Sequence, residues 1–160
     1  MRFAVHSDGI SKPSTTRGKE SIEVKVQESR ENYLEAILIL TQRNGFVRSI
    51  DVANFMDFSK PSVSVAMSNL KSALLVTVDD AGGIHLTDAG RAMAQQVYER
   101  HRTLTAFLKH IGVDEITAAD DACRIEHVIS QLSFEKIRDF TRQIGVVPMG
   151  ESEAANAERK

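Results

Sequence analysis

A chain of 160 residues that is 42% hydrophobic can bury one sizeable core, or two small ones joined by a shared helix. Its formal net charge of -2 excludes the strongly basic surface of a general polyanion binder, so any nucleic-acid contact must be local. A single cysteine precludes an internal disulfide. With neither a secretory signal nor a membrane-spanning apolar run, the chain reads as cytoplasmic and reduced, with no membrane partner.

Residues 1–26 carry Ser, Thr, Lys, Pro and Gly without a sustained period, which predicts a mobile arm. From Ser29 helix formers take over, and Asn44-Gly45 closes the run. Tyr33, Ile37 and Leu40 share a face, flanked by Leu34 and Leu38; Asn32 and Glu35 lie together on another, where an isolated Glu35 reads as a solvated carboxylate. Ser49 is the predicted cap of a short helix to Met56, and Asp57-Phe58 forms the turn. Ser59-Lys60-Pro61 then opens a second helix through Leu70.

That spacing is helix-turn-helix. From Ser59 to Lys71 there is no acidic residue. Ser59, Lys60, Ser62, Ser64 and Lys71 offer groups for phosphate oxygens, while Pro61 and Val65 allow close approach to base edges and thymine methyls. Leu75 to Asp79 and Ile84 to Thr87 are β-branched and partly alternating, with Asp80-Ala81-Gly82-Gly83 as the turn between them. Two helices followed by a hairpin make a winged helix-turn-helix. His85, inside the second strand, reads as solvent-facing with no converging partner.

Thr87 caps a long predicted helix that keeps an apolar period to Ile111 and stops at Gly112. A helix of that length can bridge two subdomains. His101 lies in its charged stretch Glu99-Arg100-His101-Arg102, and His110 suits the negative helix end. Thr117 to Asp120 has the form of a capping box and starts a helix carrying Cys123, Glu126 and His127 at i, i+3 and i+4. Ile125, Val128 and Ile129 form its apolar side. Ser133 caps a last helix to Ile144, with Ile137, Phe140 and Ile144 inward, and residues 147–160 read as a disordered tail.

A thiolate, a carboxylate and an imidazole on one helix face suit a divalent transition metal. Three groups on one helix seldom surround an ion, so a further ligand has to come from elsewhere.

The order of elements, together with Glu31-Asn32-Tyr33-Leu34-Glu35-Ala36-Ile37, Ser59 to Ser64, Leu86-Thr87-Asp88-Ala89-Gly90, Arg100-His101 and Asp121 to His127, resembles the diphtheria toxin repressor and manganese transport regulator family. The resemblance implies a mainly α chain: a winged helix-turn-helix of three helices and a two-stranded wing over 27–92, then an α-helical metal-binding and dimerisation domain over 93–146. It implies a homodimer that binds double-stranded operator DNA when a divalent metal, Mn(II) or Fe(II), is bound; Zn(II), Co(II) or Ni(II) would also bind in vitro. The ligands it implies are Asn32, Glu35, His101, Cys123, Glu126 and His127.

Departures from the family pattern are informative. Asn32 stands where the manganese regulators carry aspartate and the diphtheria repressor methionine, so the shell loses a charge or a soft donor there. Thr105 and Ala119 replace the carboxylate and imidazole of the diphtheria-repressor ancillary site. The chain stops short of that branch's SH3-like third domain, which points to the shorter manganese-regulator plan. Val65 replaces a base-contacting glutamine, and Leu74 a glycine that usually follows the recognition helix. Two other readings compete: a winged-helix regulator answering a small organic ligand or freed from metal control, and a hydrolase using Glu126 as base. No HExxH pairing or nucleophile elbow supports the latter.

Overall fold

In the computed structural model the described residues are 16–146 and 148, with side chains from Lys25 onward. Helix α1 spans Thr16–Asn44, α2 Ser49–Met56 and α3 Lys60–Ser72. Strands β1 (Val76–Val78) and β2 (Ile84–Leu86) form an antiparallel pair in which Thr77 faces His85. Helices α4 (Asp88–His110), α5 (Glu115–Ile125) and α6 (Gln131–Gln143) follow. No helix among the described residues is long and apolar enough to cross a membrane.

The first core is built on α1. Leu34, Ile37 and Leu38 are fully enclosed by Val52 of α2, Val63 and Leu70 of α3, Val76 and Ile84 of the wing, and Ala94 at the start of α4. Each such side chain contributes about 1.5–3 kcal/mol through removal from water. The C-terminal half has a smaller interior of Val97, Leu104, Ala118, Ala122 and Phe134. Helix α4 belongs to both, because it packs on α1 as well as on α5 and α6. Groups on α1 are therefore held against groups on α4 and α5.

Several caps sit where the side chains indicate, and others are displaced. Ser59 accepts the N–H of Ser62 at 3.3 Å, and Thr87 that of Gly90 at 3.1 Å. At α2 the cap is Arg48 rather than Ser49, its N–H donating to the Asp51 carboxylate at 2.8 Å. At α5 Asp114 caps instead of Thr117, accepting the Thr117 N–H at 3.0 Å, so the helix starts at Glu115. Ser130, not Ser133, caps α6 and accepts the Ser133 N–H at 3.2 Å. In both cases a better-placed acceptor three residues upstream wins. The predicted arm shortens likewise: α1 begins at Thr16, because the Lys-, Glu- and Gln-containing run before Ser29 favours helix. Residues 1–15, 147 and 149–160 lie outside the described residues.

Predicted faces also needed revision. Phe140, expected inward, is 47% exposed, and Val128, expected on the apolar side of its helix, is 66% exposed. His85 does have a partner: its Nε2 stands 2.7 Å from Asp79, whose carboxylate also accepts the N–H groups of Ala81 and Gly83 across the wing turn. Those bonds, that of His85 first, hold the Asp79 carboxyl below its ordinary range.

The backbone geometry at Gly90 and Leu74 accounts for one residue and sets the cost of the other. A Cβ at Gly90 would lie 1.9 Å from the Leu75 carbonyl oxygen, which already accepts the Thr87 N–H at 3.1 Å. Only glycine lets α4 start this close to the end of α3. Leu74, by contrast, has φ of 58° and is 76% exposed. A left-handed leucine costs roughly 1–2 kcal/mol, against roughly 0.5–1 kcal/mol for the extra freedom of glycine in the unfolded chain. Leu74→Gly is therefore expected to raise the thermal midpoint slightly; a fall would show that Leu74 makes a stabilising contact.

Candidate metal centre and nucleic-acid interface

The third and fourth turns before the α1 stop carry the acids of the site. Glu35 is buried on α1, although an isolated carboxylate on this helix reads as solvated. It is enclosed because α4 packs over this face and carries with it the end of α5, from which Glu126 projects. From α4 comes His101, and from the end of α5 Glu126, which is completely buried. One ligand atom from each of Glu35, His101 and Glu126 lies within 4.8 Å of the others. The His101 ring meets Glu126 Oε2 through Nδ1 at 2.8 Å.

Two carboxylates out of water beside each other cannot both ionise cheaply. Burial, reinforced by the charge of Glu126, pushes Glu35 up to about 7. His101 is raised by its bond to Glu126 against the effect of burial. An open cavity of about 930 Å³ leads to Glu35 and His101 between α1, α2, α4 and α5.

A second set adjoins the first through Glu126. Helix α5 ends at Ile125, so Glu126 occupies its C-cap and His127 the turn beyond. His127 Nε2 is 2.8 Å from Asn32 Oδ1 and 3.3 Å from Glu126 Oε1, and the ring also bonds the Cys123 side chain. Its Nδ1 is 2.7 Å from a Glu31 oxygen. Burial opposes a charged ring there, yet the bonds to Cys123, Glu126 and Glu31 push His127 up to about 11. Glu126 Oε1 is buried and makes no well-formed hydrogen bond, its nearest donor being the His127 ring at 3.3 Å. A buried carboxylate oxygen so weakly satisfied, inside a carboxylate–imidazole cluster, fits a divalent cation. Cys123 is exposed at the edge of this set.

Arg100 fixes the turn. It donates to the backbone carbonyl of Glu126 at 3.0 Å and to Gln131 Oε1 at 2.8 Å, so the end of α5 and the start of α6 are both tied to α4.

Residues 25–84 match the N-terminal DNA-binding domain of iron-dependent repressors, and residues 87–154 match the metal-binding and dimerisation domain of the same proteins. The chain is 32% identical over 114 residues to the HTH-type transcriptional regulator MntR of Bacillus pumilus, covering 71% of this chain and 79% of that one. The chain belongs to the diphtheria toxin repressor and manganese transport regulator family. Similarity to the transcriptional regulator MntR of Escherichia coli is 31% over 119 residues, covering 74% of this chain and 77% of the other. The solved manganese regulator SloR matches with a TM-score of 0.64 and 29% identity over 71% of this chain. Only 53% of the SloR chain is covered, so this chain spans about half the length of that relative.

Within this family plan the six expected ligands fall into two adjoining groups. Glu35, His101 and Glu126 converge directly; His127 stands beside the other oxygen of Glu126, and Asn32 and Cys123 bond the His127 ring in turn. Glu31 was not foreseen as part of the site. Its signal was the i, i+4 spacing of Glu31 and Glu35, which puts two acids on one stripe of a helix that is otherwise apolar on its packed sides. On the DNA side, Ser59, Lys60, Pro61, Ser62, Ser64, Val65 and Lys71 are all exposed. Val65, at 62% exposure on α3, has no packing role that would explain an apolar residue there.

Proposed function

We propose that the chain is a homodimeric, metal-dependent transcriptional repressor whose operator binding is controlled by Mn(II) or Fe(II) at the junction of its two halves. The observation that carries this reading is the buried Glu35 of α1 facing His101 of α4 and Glu126 of α5. A divalent cation supplies the positive charge that lets these two carboxylates ionise together. Glu35 thereby links the winged helix to the C-terminal half, while Glu126 shares its second oxygen with the group of Asn32, Cys123 and His127. Without that link the winged helices of a dimer sample many separations, and only some match half-sites about one helical turn apart. Operator affinity rises with the competent fraction.

The remaining surfaces support the same reading. Exposed Ile111, Ile116, Val128, Leu132 and Phe140 all lie in the C-terminal half, where a second copy would cover them. The exposed hydroxyls and lysines of α3 suit phosphates, with Val65 meeting apolar base edges. Donor chemistry does not choose the ion, since Zn(II), Co(II) and Ni(II) bind mixed sites at least as well in vitro. The relatives named for manganese favour Mn(II). The cluster acts as a ligand shell, and its cellular setting is the cytoplasm.

The test is operator selection from a random pool, followed by affinity titrations with Mn²⁺, Fe²⁺ or Zn²⁺ and with chelator. Metal is expected to tighten binding by about 5–150-fold, the usual range of such coupling. Equal affinity with metal and chelator would instead favour control by an organic ligand in the 930 Å³ cavity.

A further inference from the structure

The hydrogen bonds around His127 have an order that the ligand set alone does not explain. Gln27 Nε2 donates to Glu31 Oε1 at 2.6 Å, one turn earlier on α1. The other oxygen, Glu31 Oε2, lies 2.7 Å from His127 Nδ1. On the far side of the ring, Nε2 faces Asn32 Oδ1 at 2.8 Å and Glu126 Oε1 at 3.3 Å. Both His127 and Glu31 are largely enclosed, with side chains 5% and 16% exposed. The imidazole is thus gripped from behind by a carboxylate that is itself held, and its other nitrogen points toward Asn32 and Glu126.

We infer that Glu31 is a positioning residue for metal capture, holding His127 by Nδ1 so that Nε2 is presented beside Asn32, Cys123 and Glu126. A carboxylate on the rear nitrogen fixes ring orientation and tautomer and makes the front nitrogen a better donor. It does so in a chain whose Asn32 supplies only a neutral amide oxygen. Glu31 therefore brings a negative charge to this group from one residue away, without entering the ligand shell. The inference rests on the proposed role of Cys123, Glu126 and His127 as ligands.

Cobalt(II) titration of the native dimer separates the two ideas, because a thiolate-to-cobalt charge-transfer band reports on Cys123 specifically. The native chain should develop that band. Glu31→Ala should need about 10–100-fold more cobalt to reach the same final band, the usual cost of losing such a partner. Glu31→Gln keeps an acceptor for Nδ1–H and should fall between native and Glu31→Ala. Thermal melts in chelator identify any loss of fold, and Glu31→Gln, of the same shape as the native residue, still carries the comparison if Glu31→Ala does not fold. If the native band forms and Glu31→Ala titrates like native, the positioning role is wrong and the ligand reading stands. If Glu31→Gln loses as much as Glu31→Ala, the carboxylate acts as a ligand and the positioning role is again overturned. If no thiolate band forms in the native chain, the ligand reading and this inference fail together.

Discussion

Glu126→Gln is expected to abolish metal control of operator binding and to weaken metal affinity by about 100-fold or more, beyond the loss typical of a supporting residue. Glu126 is the one carboxylate that faces both groups, through Oε2 toward His101 and through Oε1 toward His127. Glutamine keeps the shape but removes the charge and turns one oxygen into a donor. The same change should relieve Glu35, whose elevation to about 7 owes its second-largest contribution to the Glu126 charge after burial itself. Calorimetric titration with Mn²⁺ and a cooperative melt in chelator check both parts. Native-like affinity in a folded Glu126→Gln protein would remove Glu126 from the site.

The second large effect is on pH. Below 11 the His127 ring is protonated in the metal-free protein, and below about 7 the Glu35 carboxyl is as well. Metal has to displace these protons. Affinity should fall as pH is lowered, by at least about tenfold per unit between about 11 and 7 through the His127 proton, and more steeply below about 7, where the Glu35 proton is added. Stability of the metal-free protein moves the opposite way. Glu35 is raised from 4.5, so its folded form keeps a proton that the unfolded chain has lost, and stability falls as pH rises from 4.5 to about 7. His127, raised from 6.5, contributes stability that is complete below 6.5 and is lost as pH rises toward 11. The gap between melting midpoints with metal and with chelator should therefore widen as pH rises from 5 to 8. A gap independent of pH would contradict protonated ligands in the free site.

The parts of the molecule legible from sequence are those decided locally. The period of Tyr33, Ile37 and Leu40 was enough to orient α1, and Ser59 and Thr87 were enough to place two helix starts. Glu35 could not be read this way, because it is buried against His101 and Glu126, more than sixty residues later in the chain. The Cys-Glu-His trio was read as one helical face, whereas α5 ends before Glu126 and only the turn brings His127 back toward Asn32. Val128 and Phe140 misled because apolar periodicity does not distinguish an interior from an exposed apolar surface. Nor does residue type reveal that Leu74 adopts a positive φ, a conformation that suits glycine.

The central claim is that Glu35 couples the winged helix to the C-terminal half through the bound ion. The most direct measurement is the ratio of operator affinities with Mn²⁺ and with chelator, for the native protein and for Glu35→Gln, at metal concentrations that saturate each. The native ratio should lie within about 5–150-fold, and that of Glu35→Gln should collapse toward one while its chelator-state affinity is unchanged. A Glu35→Gln protein that still tightens on its operator as strongly as native when metal is added would contradict the account.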